Sequence, residues 1–257
     1  MKHYMSSLSM LPTILFEDEY LIAFDKPSGL LTVPDRWNKA RSDLVSLIHQ
    51  HLAPGIYNVH RLEAETSGVL LCAKTKIALT VLERQFTTSR VKTHYLALVF
   101  GTLPEPDMVI HRELESDRDH PGRMRVAAAY RRGACRTRAH ALEVFRAHSL
   151  LEAWPSADKT HQVRVHLAHV GCPVVADAFY GNGRGLYLSE IKSNYKFKPH
   201  EPERPLIGRL ALHAASLIFT HPVTQAQITI AAPWPKDLAI AIKYLKKFAP
   251  TGGNMVT

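Results

Sequence analysis

Cysteine is scarce in this chain of 257 residues. Cys72, Cys135 and Cys172 are too few and too scattered for a disulfide framework or a paired-cysteine zinc site. They read as reduced thiols of a cytoplasmic protein. Long apolar runs are also lacking. Residues 210–235 carry no Asp, Glu, Lys or Arg, but His213, His221, Pro222, Gln225, Gln227 and Pro233 interrupt them. They fail as a membrane span, which needs about 20 predominantly apolar residues, and read instead as two core strands and a turn. At the N-terminus Pro12 breaks the apolar stretch and Glu17, Asp18 and Glu19 follow, so no secretory leader is expected. No repeat, low-complexity block or Pro/Gly/Ser linker occurs, so residues 1–257 are expected as one domain. The patterns GxxxxGK[ST], GxGxxG and GxSxG are all missing, which leaves phosphate-loop, dinucleotide and α/β-hydrolase chemistry unsupported.

Acidic residues are outnumbered. Against 32 Lys+Arg there are 23 Asp+Glu, a net charge of +9 with His neutral. That balance fits a polyanion such as nucleic acid, and it equally fits a solvated surface that happens to be basic. With 46% hydrophobic and 21% charged residues the chain is an ordinary globular one. Its length suffices for a core without disulfides or metal.

Fifteen histidines invite a metal reading. His161, His166 and His169 lie on or beside one expected helix, where only His166 and His169 share a face. No HExxH motif or carboxylate accompanies them, so no metal ligand set is assigned.

Apolar periodicity and turn residues place short strands at 13–16 and 21–24, a helix at 43–52, a buried strand after Gly68, a helix around 77–86 and a strand at 92–100. Residues 117–132 read as a charged hairpin or loop. Paired strands follow at 138–144 and 148–154, and then a helix at 160–170 with Thr160 as N-cap and Gly171 as its left-handed end. Residues 181–208 are loop-rich. Strands at 216–220 and 227–231 precede a C-terminal helix at 236–248. Strands outnumber helices and few helices separate successive strands. The expectation is an α+β fold with a largely antiparallel mixed sheet flanked by helices.

Two polar segments stand out. VHRLEAETSG (Val59–Gly68) packs Arg61, Glu63, Glu65, Thr66 and Ser67 between apolar elements. It is either the mouth of a site or a surface turn whose hydroxyls satisfy their own backbone. In KTHQVRVHLAHVGCP, Arg164 lies beside the apolar Val163 and Leu167, where a guanidinium needs an anionic partner.

HRLEAETSG resembles the HRLD-x-x-TSG signature of the RluA/RsuA-type RNA pseudouridine synthases. KTHQVRVHLAHVGCPVVADAFYG (Lys159–Gly181) resembles that family's RTHQIRVHLA…G-x-P-I-x-GD-x-x-YG. KPSGLLTVP, THYLALVFG and RLALHAASLIFTHPVT match further segments in the family's order, so the resemblance runs from about residue 13 to 234. It implies isomerisation of uridine to pseudouridine in structured rRNA or tRNA with the base flipped out, using no cofactor and no metal. A cytoplasmic monomer without the S4-type RNA-binding domain of many relatives is expected.

Carried over residue by residue, the essential carboxylate is Glu63, where the family has Asp. Tyr95 matches the tyrosine against the target base, Arg164 the cation paired with the carboxylate, and Leu212 the apolar floor of the pocket. RNA contact falls to Arg61, which can enter the stack as the base leaves, with His60, Thr66 and Lys159 beside it. Lys159 stands where the family usually has Arg. Glu63 carries one methylene more than Asp, and a misplacement of about 1 Å can cost about 100-fold. Three readings stay open: an active enzyme with a compensating backbone shift, an inactive RNA-binding relative, or an engineered change.

Overall fold

The computed structural model describes residues 11–35, 38, 40–128, 135–157, 159–197 and 200–251. In chain order these form β1 (Ile14–Glu17), β2 (Leu21–Lys26), α1 (Leu44–His51), β3 (Tyr57–Asn58), β4 (Ser67–Ala73), α2 (Lys76–Thr87) and β5 (Lys92–Phe100). Then follow β6 (Asp107–His111), β7 (Leu114–Ser116), β8 (Met124–Val126), β9 (Arg136–Val144), β10 (His148–Pro155) and α3 (Gln162–His169). The last are α4 (Leu188–Ile191), β11 (Leu212–Thr220), β12 (Gln227–Ala231) and α5 (Lys236–Phe248). Strand pairing is mostly antiparallel, with β4 and β11 parallel, so the class is α+β as the sequence implies.

The chain groups into two compact units. One holds the described residues through His94 together with His213–Pro233; the other holds Tyr95–Leu212 and the described residues from Trp234.

In the first unit the strands run β1-β2-β4-β11, with β12 on β11 and β3 on the C-terminal end of β4. All seven residues of β4 are buried, which is why it reads as an apolar run rather than an alternating one. β11 meets β4 in parallel through His213 and Ala214 opposite Ser67 and Gly68. Gly68 has φ +115°, and a Cβ there would stand 2.1 Å from the Ala214 carbonyl oxygen, so only glycine permits this approach. The core joins Leu21, Val69 and Leu71 of the sheet to Ala78 and Leu82 of α2. That helix starts on Thr75, whose hydroxyl accepts the Ala78 N–H. It buries Ala78, Leu82 and Gln85 and leaves Ile77 exposed. Buried Gln85 brackets the Thr220 backbone, donating to its oxygen at 2.7 Å and accepting its N–H at 2.9 Å, and so closes the end of β11.

In the second unit the order is β5-β10-β9-β6, all antiparallel, with Tyr95 opposite Ala153. The sequence misses β6, a five-residue strand at the end of that order. The charged segment after His111 forms the β7–β8 hairpin; residues 129–132 of the expected loop lie outside the described residues. α5 has the expected bounds and buries Leu238, Ala241, Ile242 and Leu245. The three cysteines are buried, unpaired thiols.

α3 departs from expectation at its start. Its N-cap is His161 rather than Thr160, in the left-handed conformation at φ +56° and without a side-chain cap. Gln162 through Leu167 are all buried, Arg164 and His166 included. A helix buried over most of its length needs no polar face. Arg164 and His166 are bonded to neighbouring strands and loops, and Gln162 donates to the Arg136 carbonyl and Thr137 Oγ1 while its own carbonyl oxygen has no partner among the described residues. Gly171 takes the expected left-handed conformation at φ +82°.

Candidate active site

Four of the expected site residues fall in the first unit. Arg61, Glu63 and Thr66 occupy one turn between β3 and β4, which the Glu63 carbonyl closes by accepting the Thr66 N–H at 3.2 Å. Arg61 is exposed and Glu63 half-buried.

The turn is held from outside by the loop that follows β2. The Thr32 hydroxyl donates to the Leu62 carbonyl at 2.8 Å and accepts the Leu62 N–H at 3.1 Å. The Gly29 N–H and the Lys26 ammonium both donate to the Ala64 carbonyl, at 2.7 and 3.0 Å. Ser28 donates to the Glu65 carbonyl at 2.6 Å. The peptides before and after Glu63 are therefore fixed by a segment about thirty residues earlier. Lys26 is completely buried, and its ammonium also donates to the carbonyls of Leu30 and Pro27. An ammonium out of water needs such a cage, and here the cage includes the peptide next to Glu63. The sequence marks KPSGLLTVP as a loop and a family segment and assigns Lys26 no role. A lysine at the end of a buried strand, ahead of Pro-Ser-Gly, was the available signal.

His60 and Thr66, expected at the RNA, are buried. His60 Nε2 accepts the Leu71 N–H at 3.0 Å, and the ring stacks on Phe86 at 4.7 Å. Burial pulls its pKa down to about 4, so the ring is neutral with its proton on Nδ1. The Thr66 hydroxyl is enclosed with no hydrogen-bond partner among the described residues. Next to it, Ser67 Oγ lies 3.0 Å from His213 Nδ1, which ties the turn's exit to β11.

The other four lie in the second unit. Tyr95 is buried on β5 and Leu212 is buried at the start of β11. Lys159 precedes α3 and pairs with Glu113 at 2.6 Å, so part of its charge is already neutralised within the protein.

Arg164 has a partner that sequence reading did not name. Its Nε and one terminal nitrogen donate to the two oxygens of Asp177 at 2.8 and 2.7 Å. Asp177 also accepts the N–H groups of Phe179 and Tyr180. Burial pushes the Asp177 carboxyl up, but the hydrogen bonds and charge of Arg164, with the two N–H groups, outweigh it and hold the pKa below the usual value. The rings of Phe179 and Tyr180 lie 5.3 and 5.1 Å from the Arg164 guanidinium carbon. Tyr180 Oη meets His161 Nδ1 at 2.7 Å and accepts the Met124 N–H at 2.8 Å. The guanidinium plane is thus fixed by a carboxylate along one edge and by aromatic rings. The signal was in the sequence, since Asp177, Phe179 and Tyr180 belong to the quoted DAFYG.

His166 engages both ring nitrogens within the protein, with Thr137 Oγ1 at 2.8 Å and the Arg112 carbonyl at 3.1 Å. Burial is the main cause that lowers its pKa to about 4. Among the described residues no group of three or more His, Cys, Asp or Glu could hold a metal ion. Chemically, the first unit presents a carboxylate on a rigid turn with an exposed arginine beside it. The second presents a buried, oriented guanidinium and a buried tyrosine.

The sequence profile of the RNA pseudouridylate synthases matches residues 20–169. An uncharacterised RNA pseudouridine synthase of Bacillus subtilis is 31% identical over 88% of this chain and 69% of its own length. The ribosomal large subunit pseudouridine synthase D of Xylella fastidiosa is 34% identical over 91% of this chain and 69% of its own. The dual-specificity RNA pseudouridine synthase of Salmonella typhi is 31% identical over 86% and 92%. Among solved structures, human RNA pseudouridylate synthase domain containing 4 superposes with a TM-score of 0.69 at 20% identity, covering 95% of this chain and 97% of that one, a likeness of fold.

Proposed function

The chain belongs to the RNA pseudouridine synthase family, and from that premise we propose that it converts selected uridines of folded RNA into pseudouridine. The C1′–N1 bond breaks, the uracil turns, and C5 bonds to C1′; C5 loses a proton and N1 gains one. Atoms and electrons balance within the nucleotide, so the reaction calls for no redox cofactor.

In this reading Glu63 is the carboxylate on which the isomerisation depends. By the family's motifs Arg164 is assigned as the cation for that carboxylate, Tyr95 as the ring against the base, and Leu212 as the apolar floor. Arg61 takes the gap left by the flipped base, and Lys159 adds charge for the phosphates. His60 and Thr66 act by shaping the turn from inside. The substrate is ribosomal or transfer RNA, and the names of the relatives favour ribosomal RNA. A monomer acting in the cytoplasm completes the proposal.

The observation that carries this reading is the fixing of the Glu63 turn on both sides by Lys26, Ser28, Gly29 and Thr32. A reaction that depends on one carboxylate needs its backbone held, since small misplacements are costly. The same observation favours a second reading, in which the added methylene of Glu63 falls on the side chain and turnover is low. Pseudouridine mapping in cells with and without the gene, followed by assay of the purified protein on the mapped RNA, tests both. Loss of a specific pseudouridine, restored by wild type and not by Glu63→Gln, is the expected result. An unchanged map and an inert purified protein would reject the assignment.

A further inference from the structure

We propose that a groove along α5 is an additional RNA contact, which stacks one unpaired base on Trp234 and holds its flanking phosphates with Lys243 and Lys247. The proposal rests on the RNA reading above but not on catalysis, since none of these residues takes part in the proposed chemistry.

The groove is open to solvent, has a volume of about 530 Å³ and is lined by Trp234, Ala239, Ile242, Lys243, Lys246 and Lys247. That volume falls in the range of roughly 300–1,000 Å³ that holds small organic ligands. α5 turns Leu238, Ala241 and Leu245 into the core, so Ala239, Lys243 and Lys246 share its outer stripe. Ala239 is the smallest of them.

Trp234 is 43% exposed. It sits between Pro233 and Pro235, whose rings restrict the backbone on both sides. An exposed indole ringed by lysines suits a nucleotide, because the base supplies a flat apolar face and its phosphates supply negative charge. The lysines differ in what they can offer. Lys246 is paired with Glu143 at 2.8 Å. Lys247 lies over the Phe248 ring at 5.2 Å, which leaves its charge uncompensated by any acid among the described residues. Lys243 has no ion pair among the described residues. Lys243 and Lys247 are therefore the two cations available to phosphates. A chain of net charge +9 in an RNA-modifying family makes RNA the occupant of choice over an acidic peptide.

Stacking on Trp234 requires a base outside a duplex, so the probe pair is a fluorescein-labelled RNA hairpin with and without a single-stranded extension of roughly eight nucleotides. The wild-type full chain should bind the extended hairpin more tightly. Trp234→Ala should weaken that binding roughly 10-fold, the scale of one lost stacking contact, while Trp234→Phe should keep most of it. Lys243→Gln combined with Lys247→Gln should lower the slope of log affinity against log salt by about 1.4, which is about 0.7 for each phosphate contact to a single strand. Neither change should alter binding of the bare hairpin or the melting temperature. Affinities and slopes equal to wild type in both variants would overturn the groove. So would an acidic peptide that binds at Trp234 while RNA binding ignores it. A wild-type protein that makes no pseudouridine, yet loses the benefit of the extension in these variants, would sink the catalytic reading and uphold the groove.

Discussion

Lys26 and Ala64 meet across 38 positions of sequence: the buried ammonium donates to the carbonyl of the residue after Glu63 at 3.0 Å. Replacing Lys26 by Met removes a buried charge but takes this donor from the Pro27 and Leu30 carbonyls and leaves the Ala64 carbonyl with the Gly29 N–H alone. Each buried acceptor left unsatisfied costs about 1–3 kcal/mol. Lys26→Met should lose about 2 kcal/mol or more in urea unfolding. Turnover should fall further than RNA affinity, because the carboxylate moves and the exposed arginine does not. An unchanged unfolding midpoint together with unchanged turnover would show that the ammonium does not hold the turn.

Gly68→Ala meets two obstacles at once, the backbone at φ +115° and the Ala214 oxygen 2.1 Å from the new Cβ. Strain and overpacking of this kind each cost about 1–3 kcal/mol. The variant should melt well below wild type or fail to accumulate as folded protein, as circular dichroism would register. A wild-type melt would mean that β11 can move away from β4 cheaply.

The turn around Glu63 is fixed at Leu62, Ala64 and Glu65, so its backbone has little room to compensate for the extra methylene. Glu63→Asp should therefore raise turnover, by about 10- to 100-fold. Glu63→Gln should abolish it, since an amide is neither nucleophile nor base. The measurement is pseudouridine formed per enzyme under single-turnover conditions. Full activity in Glu63→Gln would move the chemistry elsewhere.

Asp177 contributes stability as a charged partner. Its carboxyl pKa is below the unfolded value, so the contribution is present above the ordinary Asp range and lost as pH falls through the folded pKa. Asp177→Asn leaves the buried Arg164 with a weaker acceptor and should cost about 3 kcal/mol at neutral pH. The gap to wild type should narrow in acid, where the wild-type carboxyl protonates as well. Chemical denaturation at pH 7 and below pH 4 checks both statements; a constant gap would count against the charge.

His60 and His166 have the opposite sign of charge but the same direction in pH. Both are held near pKa 4 against about 6.5 unfolded, so between these values the unfolded chain binds protons that the folded one does not. Stability should fall as pH drops from about 6.5 toward 4. His166→Gln should flatten part of that slope, even if it lowers stability at pH 7. Equal slopes in the two proteins would show that His166 titrates normally.

Much of this was legible in the residues. α5 and β12 have the bounds that apolar periodicity gave them, and β5 the bounds read from its apolar run, because an amphipathic helix and a buried strand each leave a plain pattern. The motifs located the turn of Glu63 and the helix of Arg164. The partners of those residues were harder to find. Lys26 reaches Ala64, and Arg164 reaches Asp177, by chain paths that no local period encodes. Thr160 looked like a cap because it is a threonine before a helix. The cap is His161, left-handed, at the mouth of a helix whose burial removes the amphipathic signal. His60 and Thr66 come from the motif as RNA contacts, and a motif gives residue type without distinguishing a solvated polar group from one bonded or enclosed in a core.

The parallel contact of His213 and Ala214 with Ser67 and Gly68 sets a schedule for synthesis. The ribosome delivers the Glu63 turn early and the strand that covers its exit much later. At roughly 5–20 residues per second the interval is on the order of ten to thirty seconds. Through that interval the first unit lacks both β11 and β12, so β4 leaves the ribosome with part of its backbone unpaired. A nascent chain stalled before residue 213 should be protease-sensitive at the very turn that the finished protein holds on both sides.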